Sequence, residues 1–119
     1  MVTGGAGFIG SALCRHLVRT GRYRVVNVDK LTYAGSLSSL RSLSNDARHS
    51  FHRADICDGP LMLDLLRRWQ ADGVIHLAAE SHVDRSIDGP ADFLRTNVVG
   101  TFTLLEAALA YWRELPPGR

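Results

Sequence analysis

Cysteine is scarce in this chain of 119 residues: only Cys14 and Cys57 occur. Two thiols cannot build a disulfide framework, and their spacing is not that of a metal site. We read them as reduced packing residues, Cys14 inside a helix and Cys57 after a strand, in a cytoplasmic protein. No apolar run reaches the roughly 18 residues that a membrane span needs, and no charged-then-apolar leader stands before the first glycine turn, so a membrane role is not expected. Basic runs are lacking as well. Lys and Arg total 14 against 12 Asp and Glu, for a formal net charge of +2. The arginines are scattered through Arg15, Arg22, Arg41, Arg53, Arg67 and Arg85, which gives nucleic acid no electrostatic footprint. Of the five histidines, His16, His49 and His52 have no ligand partners at metal spacing, and no metal is expected.

Glycine is plentiful, and its placement carries the argument. Thr3-Gly-Gly-Ala-Gly-Phe-Ile-Gly10 spaces Gly4, Gly7 and Gly10 as G-x-x-G-x-x-G, a variant of the dinucleotide fingerprint. It puts residues without Cβ where the turn is tight, where backbone meets pyrophosphate and where helix approaches strand. The free N–H groups of the following helical turn then face the anion. An ordinary strand-to-helix turn would use one such glycine, and the flanking strand, helix and acidic residue favour the nucleotide reading.

Apolar periodicity alternates between short β-like and longer helical runs, with no internal repeat. The 45% hydrophobic content suits one globular domain. Residues 1–3 are a stub of strand one; residues 8–20 form a helix stopped by Gly21; residues 24–29 are strand two. A short helix is predicted over 36–43, strand three over 50–53, a helix from Pro60 with Leu61, Leu65, Leu66 and Trp69 on one face, and strand four over 73–77. A last helix spans 91–112, with Phe93, Asn97, Gly100, Leu104, Ala107 and Ala108 along one side. Gly100 costs that helix about 1 kcal/mol against alanine, which points to close packing against a neighbouring backbone or a ligand. Right-handed crossovers predict a doubly wound α/β parallel sheet of order 3-2-1-4, a partial Rossmann sheet. The short first strand and the apolar edge left at strand four predict further chain at both ends, with a fifth strand after the last helix.

Asp29 closes strand two about 20 residues beyond the glycine turn, where a carboxylate accepts ribose hydroxyls and repels a 2′-phosphate, favouring NAD over NADP. Lys30 beside it leaves a cation that a phosphate could use. Asp55 and Ile56 lie at the same rim, one able to meet an adenine amino group and the other to pack on the ring; a simple loop turn explains them equally well. Strand four runs into Leu77-Ala-Ala-Glu-Ser-His-Val-Asp-Arg-Ser86, a polar cluster where substrates bind such sheets. Ser81, His82 and Asp84 with Arg85 are too close in sequence to converge as a hydrolytic triad, and no G-x-S-x-G elbow is present. His76, inside a strand, reads as a hydrogen-bonded core residue.

These strings, together with Asp29-Lys-Leu-Thr-Tyr-Ala-Gly35, Ala54-Asp-Ile-Cys-Asp58 and Thr96-Asn97, closely resemble the dTDP-glucose 4,6-dehydratases of the extended short-chain dehydrogenase/reductase family. The resemblance covers nearly the whole chain. It implies an NAD-binding Rossmann domain over 1–119 in which Phe8 and Ile9 line the pyrophosphate turn. Asp29, Lys30, Leu31 and Thr32 hold the adenosine ribose, and Asp55 and Ile56 flank the adenine. Leu77, Ala78, Ala79 and Glu80 run beneath the nicotinamide half, Ser81 touches cofactor and sugar, Thr96 contacts the cofactor, and Asn97 supports the site. It also implies the reaction: a hydride leaves glucose C4 for NAD, water is lost across C5 and C6, and the hydride returns to C6. A homodimer is implied through helices that include the last one, with Phe102, Leu105 and Leu109 either forming that seam or packing inside.

Against the family pattern, residues 1–119 lack the Thr-Asp-Glu segment of strand five, the Tyr-x-x-x-Lys pair, the later strands and the carboxy-terminal substrate domain. Tyr23, Tyr33 and Tyr111 are followed four residues on by Asn27, Leu37 and Leu115, so no lysine is placed to lower a tyrosine pKa. No catalytic residue is assigned, and the isolated chain is expected to be inactive on dTDP-glucose. Two other readings remain, a non-catalytic NAD-binding module and a nucleotide-sugar epimerase.

Overall fold

The computed structural model describes residues 1–118, with the side chains of Val83 and Arg85 outside the described residues. The chain forms two compact units, Met1–Asp55 with Asp72–Ala78, and Ile56–Ala71 with Ala79–Arg119.

The first unit is a parallel sheet in the expected order β3-β2-β1-β4, made of β1 (Val2–Thr3), β2 (Val25–Asp29), β3 (His49–Arg53) and β4 (Ile75–His76). Val2 sits opposite Asn27 and Ile75, and Thr3 opposite Val28 and His76. Residues Val25 to Val28 are all buried, as an interior parallel strand requires. α1 (Phe8–Arg19) buries Cys14 and Val18, and Gly21 (φ 72°) closes the turn after it. The segment predicted as a short helix is a 3₁₀ helix over Leu37–Leu43, with the Ser36 hydroxyl accepting the Ser38 N–H at 3.3 Å. Its Leu40 and Leu43, one 3₁₀ turn apart, join Val2, Ala6, Cys14, Val18 and Val25 in one core cluster. Burial pushes the Cys14 thiol up to about 11, the behaviour of an inert packing residue. β4 is shorter than predicted and leaves Ile75 and Leu77 exposed.

The second unit pairs α2 (Gly59–Trp69) with α5 (Thr101–Glu114). Asp58 caps α2 by accepting the Leu61 N–H at 3.1 Å, with Pro60 in the first turn. The buried stripe is Met62, Leu65 and Leu66, while Leu61 and Trp69 are half-buried. Periodicity alone does not separate the two stripes, since residue 61 stands four before 65 and residue 62 stands three before 65 and four before 66. α5 answers with Leu104, Ala107 and Tyr111. Arg67 forks onto the Glu114 carboxylate, its Nε 2.8 Å from Oε2.

The sequence predicts one helix from residue 91 to 112 after a polar loop; the fold instead has α3 (Val83–Asp88), α4 (Pro90–Phe93), a π-helical turn (Leu94–Gly100) and then α5. The polar run before residue 89 offers one apolar i, i+4 pair, Val83 and Ile87, too short a stripe to announce a helix, and Pro90 bars helical backbone at Gly89, which breaks α3 from α4. Among the described residues no helix is long and apolar enough to cross a membrane.

Candidate cofactor-binding site

The glycine turn follows β1 directly. Gly4 adopts φ 71° and donates its N–H to the Val28 carbonyl at 2.8 Å. A Cβ there would lie 2.6 Å from the Ala78 nitrogen, so the turn and the end of β4 touch backbone to backbone. Gly10 rests on the same turn, where a Cβ would come 2.7 Å from the Gly5 Cα. Gly7 differs: a Cβ would meet only the Gly4 carbonyl, at 3.4 Å. It is the N-cap of α1 and offers no capping side chain, so the first-turn N–H groups have no acceptor in the helix. The exposed Phe8 and Ile9 follow at once. Open backbone at Gly7 and uncapped N–H groups at a helix start fit the pyrophosphate of a dinucleotide.

Asp29 ties the end of β2 to this turn. Its Oδ2 accepts the Ala6 N–H at 2.9 Å and its Oδ1 accepts the Leu31 N–H at 2.8 Å. An ionised carboxylate has about four acceptor sites, so capacity for ribose hydroxyls remains. The bond to Leu31 holds that residue at φ 60°, a left-handed conformation costing roughly 1–2 kcal/mol. Ser36 donates to the Ala6 carbonyl at 3.0 Å and Gly35 to the Thr32 carbonyl at 3.1 Å, which closes the loop around Asp29. Lys30, a potential phosphate partner by sequence, stands 3.6 Å from the Asp55 carboxylate. The cation is thus matched by an anion, and the rim favours hydroxyls over a 2′-phosphate.

At the end of β4, Leu77 donates to the Thr3 carbonyl at 3.0 Å, and the Thr3 hydroxyl lies 2.6 Å from His76 Nδ1. Burial holds the His76 imidazole below its usual pKa, consistent with a hydrogen-bonded strand residue.

The structure therefore gathers Gly4, Gly7, Phe8, Ile9, Gly10, Asp29, Lys30, Leu31, Thr32, Asp55, Leu77 and Ala78 in the first unit. Ile56, Ala79, Glu80, Ser81 and Thr96 belong to the second, with Ile56 and Thr96 buried and Ala79 and Ser81 exposed. Asn97 brackets Glu80, accepting its N–H and donating to its carbonyl, both at 2.8 Å. His82 and Asp84 are exposed, and the Arg85 side chain lies outside the described residues. Sequence reasoning passed over Ala6, whose backbone N–H meets Asp29, and Gly5, where a Cβ would strike the buried Asn27 side chain. A polar asparagine within an otherwise apolar strand was the signal for the second.

A parallel sheet whose first strand ends in a glycine turn under an uncapped helix, with a second-strand carboxylate bonded to that turn, defines a Rossmann-type dinucleotide-binding protein. The chain belongs to the GDP-mannose 4,6 dehydratase family, whose model matches residues 1–116. It is 59% identical over 115 residues to dTDP-glucose 4,6-dehydratase 1 of Escherichia coli K12, covering 97% of this chain and 32% of that protein. The dTDP-glucose 4,6-dehydratase of Streptomyces venezuelae, solved with NAD bound, superposes with a TM-score of 0.88 at 45% identity, covering 93% of this chain and 35% of the other. A UDP-glucose 4-epimerase of Thermotoga maritima is also similar, with a TM-score of 0.82 at 35% identity over 92% of this chain and 33% of that one. The chain spans about a third of the length of the curated relatives it matches.

Proposed function

We propose that residues 1–119 form the NAD-binding Rossmann portion of a dTDP-glucose 4,6-dehydratase. The observation that carries the reading is the Asp29 carboxylate held against the Ala6 N–H, which fixes a ribose acceptor beside the open backbone of Gly7. Phe8 and Ile9 offer N–H groups to the pyrophosphate, while Gly7, whose own N–H is donated to the Gly4 carbonyl at 3.2 Å, leaves the backbone open to it. Asp29, Lys30, Leu31 and Thr32 take the ribose, and Asp55 and Ile56 the adenine. Leu77 to Glu80 serve the nicotinamide half, with Ser81 and Thr96 as further contacts and Ser81 also touching the sugar. Bound NAD supplies the hydride acceptor, and then the hydride donor, for a sugar oxidised at C4, dehydrated across C5 and C6 and reduced at C6. This chain's residues bind and orient; the nucleotide sugar dTDP-glucose is the substrate of the whole enzyme. Cys14 and Cys57, neither in a disulfide, suit a reducing, cytoplasmic compartment.

Titration calorimetry of the chain with NAD tests the reading. Saturable binding below about 1 mM is expected, with no 4-keto product after incubation with dTDP-glucose. Absence of binding at that concentration would sink it. In a longer chain that carries these residues, the same substrate is expected to lose water; inversion at C4 without water loss would move the assignment to the epimerases.

We also propose that α5 pairs with a second copy. Val98, Phe102, Leu105, Leu109 and Trp112 are exposed and follow one another at four- and three-residue steps, the spacing of a coiled-coil seam. Leu105→Glu is expected to turn a dimer into a monomer by light scattering after gel filtration. A monomeric wild-type chain would refute the seam.

A further inference from the structure

The π-helical turn Leu94–Gly100 sits between α4 and α5, and three sets of contacts hold it. Asn97 brackets the Glu80 peptide with two bonds of 2.8 Å. The Cys57 thiol meets the Arg95 carbonyl at 3.5 Å. Gly100 faces Ile56 so closely that a Cβ would lie 2.6 Å from its Cδ1. Turns of this kind are rare inside helices and gather at functional sites. The wider i→i+5 turn spreads the directions of Asn97 and Gly100 further apart than an α-helix would. One residue thereby reaches the segment that follows β4 and the other the segment that follows β3.

We propose that this turn is a positioning device with two separable arms: Asn97 sets the peptide of Glu80, and Gly100 sets the Ile56 side chain. It rests on the reading above, in which residues 77–80 serve the nicotinamide half of NAD and Ile56 the adenine. Asn97 is a positioning residue, since it acts through the Glu80 backbone. The amide is suited to this, because one side chain must both accept from an N–H and donate to a carbonyl. Gly100 is the one residue that leaves Ile56 its place, which accounts for a glycine inside a helical segment despite its conformational cost.

The two arms predict different binding signatures, read by calorimetry on the full chain with NAD and with ADP, which lacks the nicotinamide half. Asn97→Ala is expected to raise the Kd for NAD about tenfold, the scale of losing one or two hydrogen bonds, and to leave ADP within about twofold. Asn97→Asp keeps the acceptor and loses the donor, and should fall between the two. Gly100→Ala displaces Ile56 and is expected to weaken NAD and ADP by the same factor, about fivefold. Amide hydrogen exchange gives a readout without cofactor: Asn97→Ala should speed exchange at Glu80 by at least about tenfold while α2 and α5 keep their protection.

Equal loss of NAD and ADP in Asn97→Ala, or an unchanged Glu80 amide, overturns the proposal. So does acceleration spread over the whole unit, which would mark a merely structural role. Failure of the wild-type chain to bind NAD removes the cofactor reading. Exchange at Glu80 then still decides whether Asn97 orders that segment.

Discussion

Gly7→Ala leaves the chain folded and lowers its NAD affinity by at least tenfold, whereas Gly4→Ala removes much of its stability. The two glycines stand three residues apart in one motif, yet their surroundings differ. At Gly7 the backbone is at φ −76° and ψ 179°, open to any residue, and a Cβ would make only an ordinary contact of 3.4 Å with the Gly4 carbonyl. Alanine fits the fold there, and its methyl stands where the pyrophosphate must approach. A displaced phosphate contact of about 1.4 kcal/mol is already a factor of ten. At Gly4, a side chain at φ 71° costs roughly 1–2 kcal/mol. Its Cβ at 2.6 Å from the Ala78 nitrogen must also push the end of β4 away from β1, an overpacking cost of about 1–3 kcal/mol. Against a net stability of about 5–15 kcal/mol for a typical domain, that sum is a large share. Urea unfolding monitored by circular dichroism, alongside NAD calorimetry, separates the two effects. Wild-type NAD affinity in Gly7→Ala would show that the phosphate does not approach that peptide.

Asp29→Ala is expected to act on stability and binding together. The carboxylate accepts from Ala6 and from Leu31, and each hydrogen bond to a charged group is worth about 1.5–3 kcal/mol. Their removal frees the glycine turn and releases Leu31 from φ 60°. The relief of that strain offsets part of the loss, leaving a destabilisation of about 1–5 kcal/mol. The ribose acceptor goes at the same time, and a loss of about 100-fold in NAD affinity follows, near 3 kcal/mol. Asp29→Asn sharpens the test. Its amide offers one acceptor oxygen in place of two and turns an NH₂ toward a backbone donor, so it should be nearly as damaging as alanine. Relative affinity for NADP over NAD should rise in both variants, because the group that repels a 2′-phosphate is gone. An Asp29→Ala chain with unchanged urea midpoint and NAD affinity would remove Asp29 from both roles.

The architecture was legible wherever a period or a spacing carries it. The glycine turn, the 20-residue step to Asp29 and the alternation of short apolar runs with helical ones lead to a parallel sheet of order 3-2-1-4, and the fold has that order. The packing role of Gly100 was legible too, as a glycine where a helix would prefer alanine, although its neighbour proved to be the Ile56 side chain. The register of α2 was not, because Leu61 and Met62 satisfy the same helical spacing and only the approach of α5 selects between them. Nor was α3, since a six-residue helix with the one apolar pair Val83 and Ile87 carries too little amphipathic pattern.

By itself the sequence determined the strands, the longer helices, their order and the chemical types at the candidate site, because hydrophobic period, glycine spacing and chain direction are local properties read along the chain. The tertiary structure alone decided which partner each polar group meets: Asp29 with the Ala6 N–H, Lys30 with Asp55, and Asn97 with both sides of the Glu80 peptide. It also decided that the last helix passes through a π turn, which local propensity does not favour. Such pairings are set by distances between segments far apart in sequence, and those distances exist only once the strands and helices have packed.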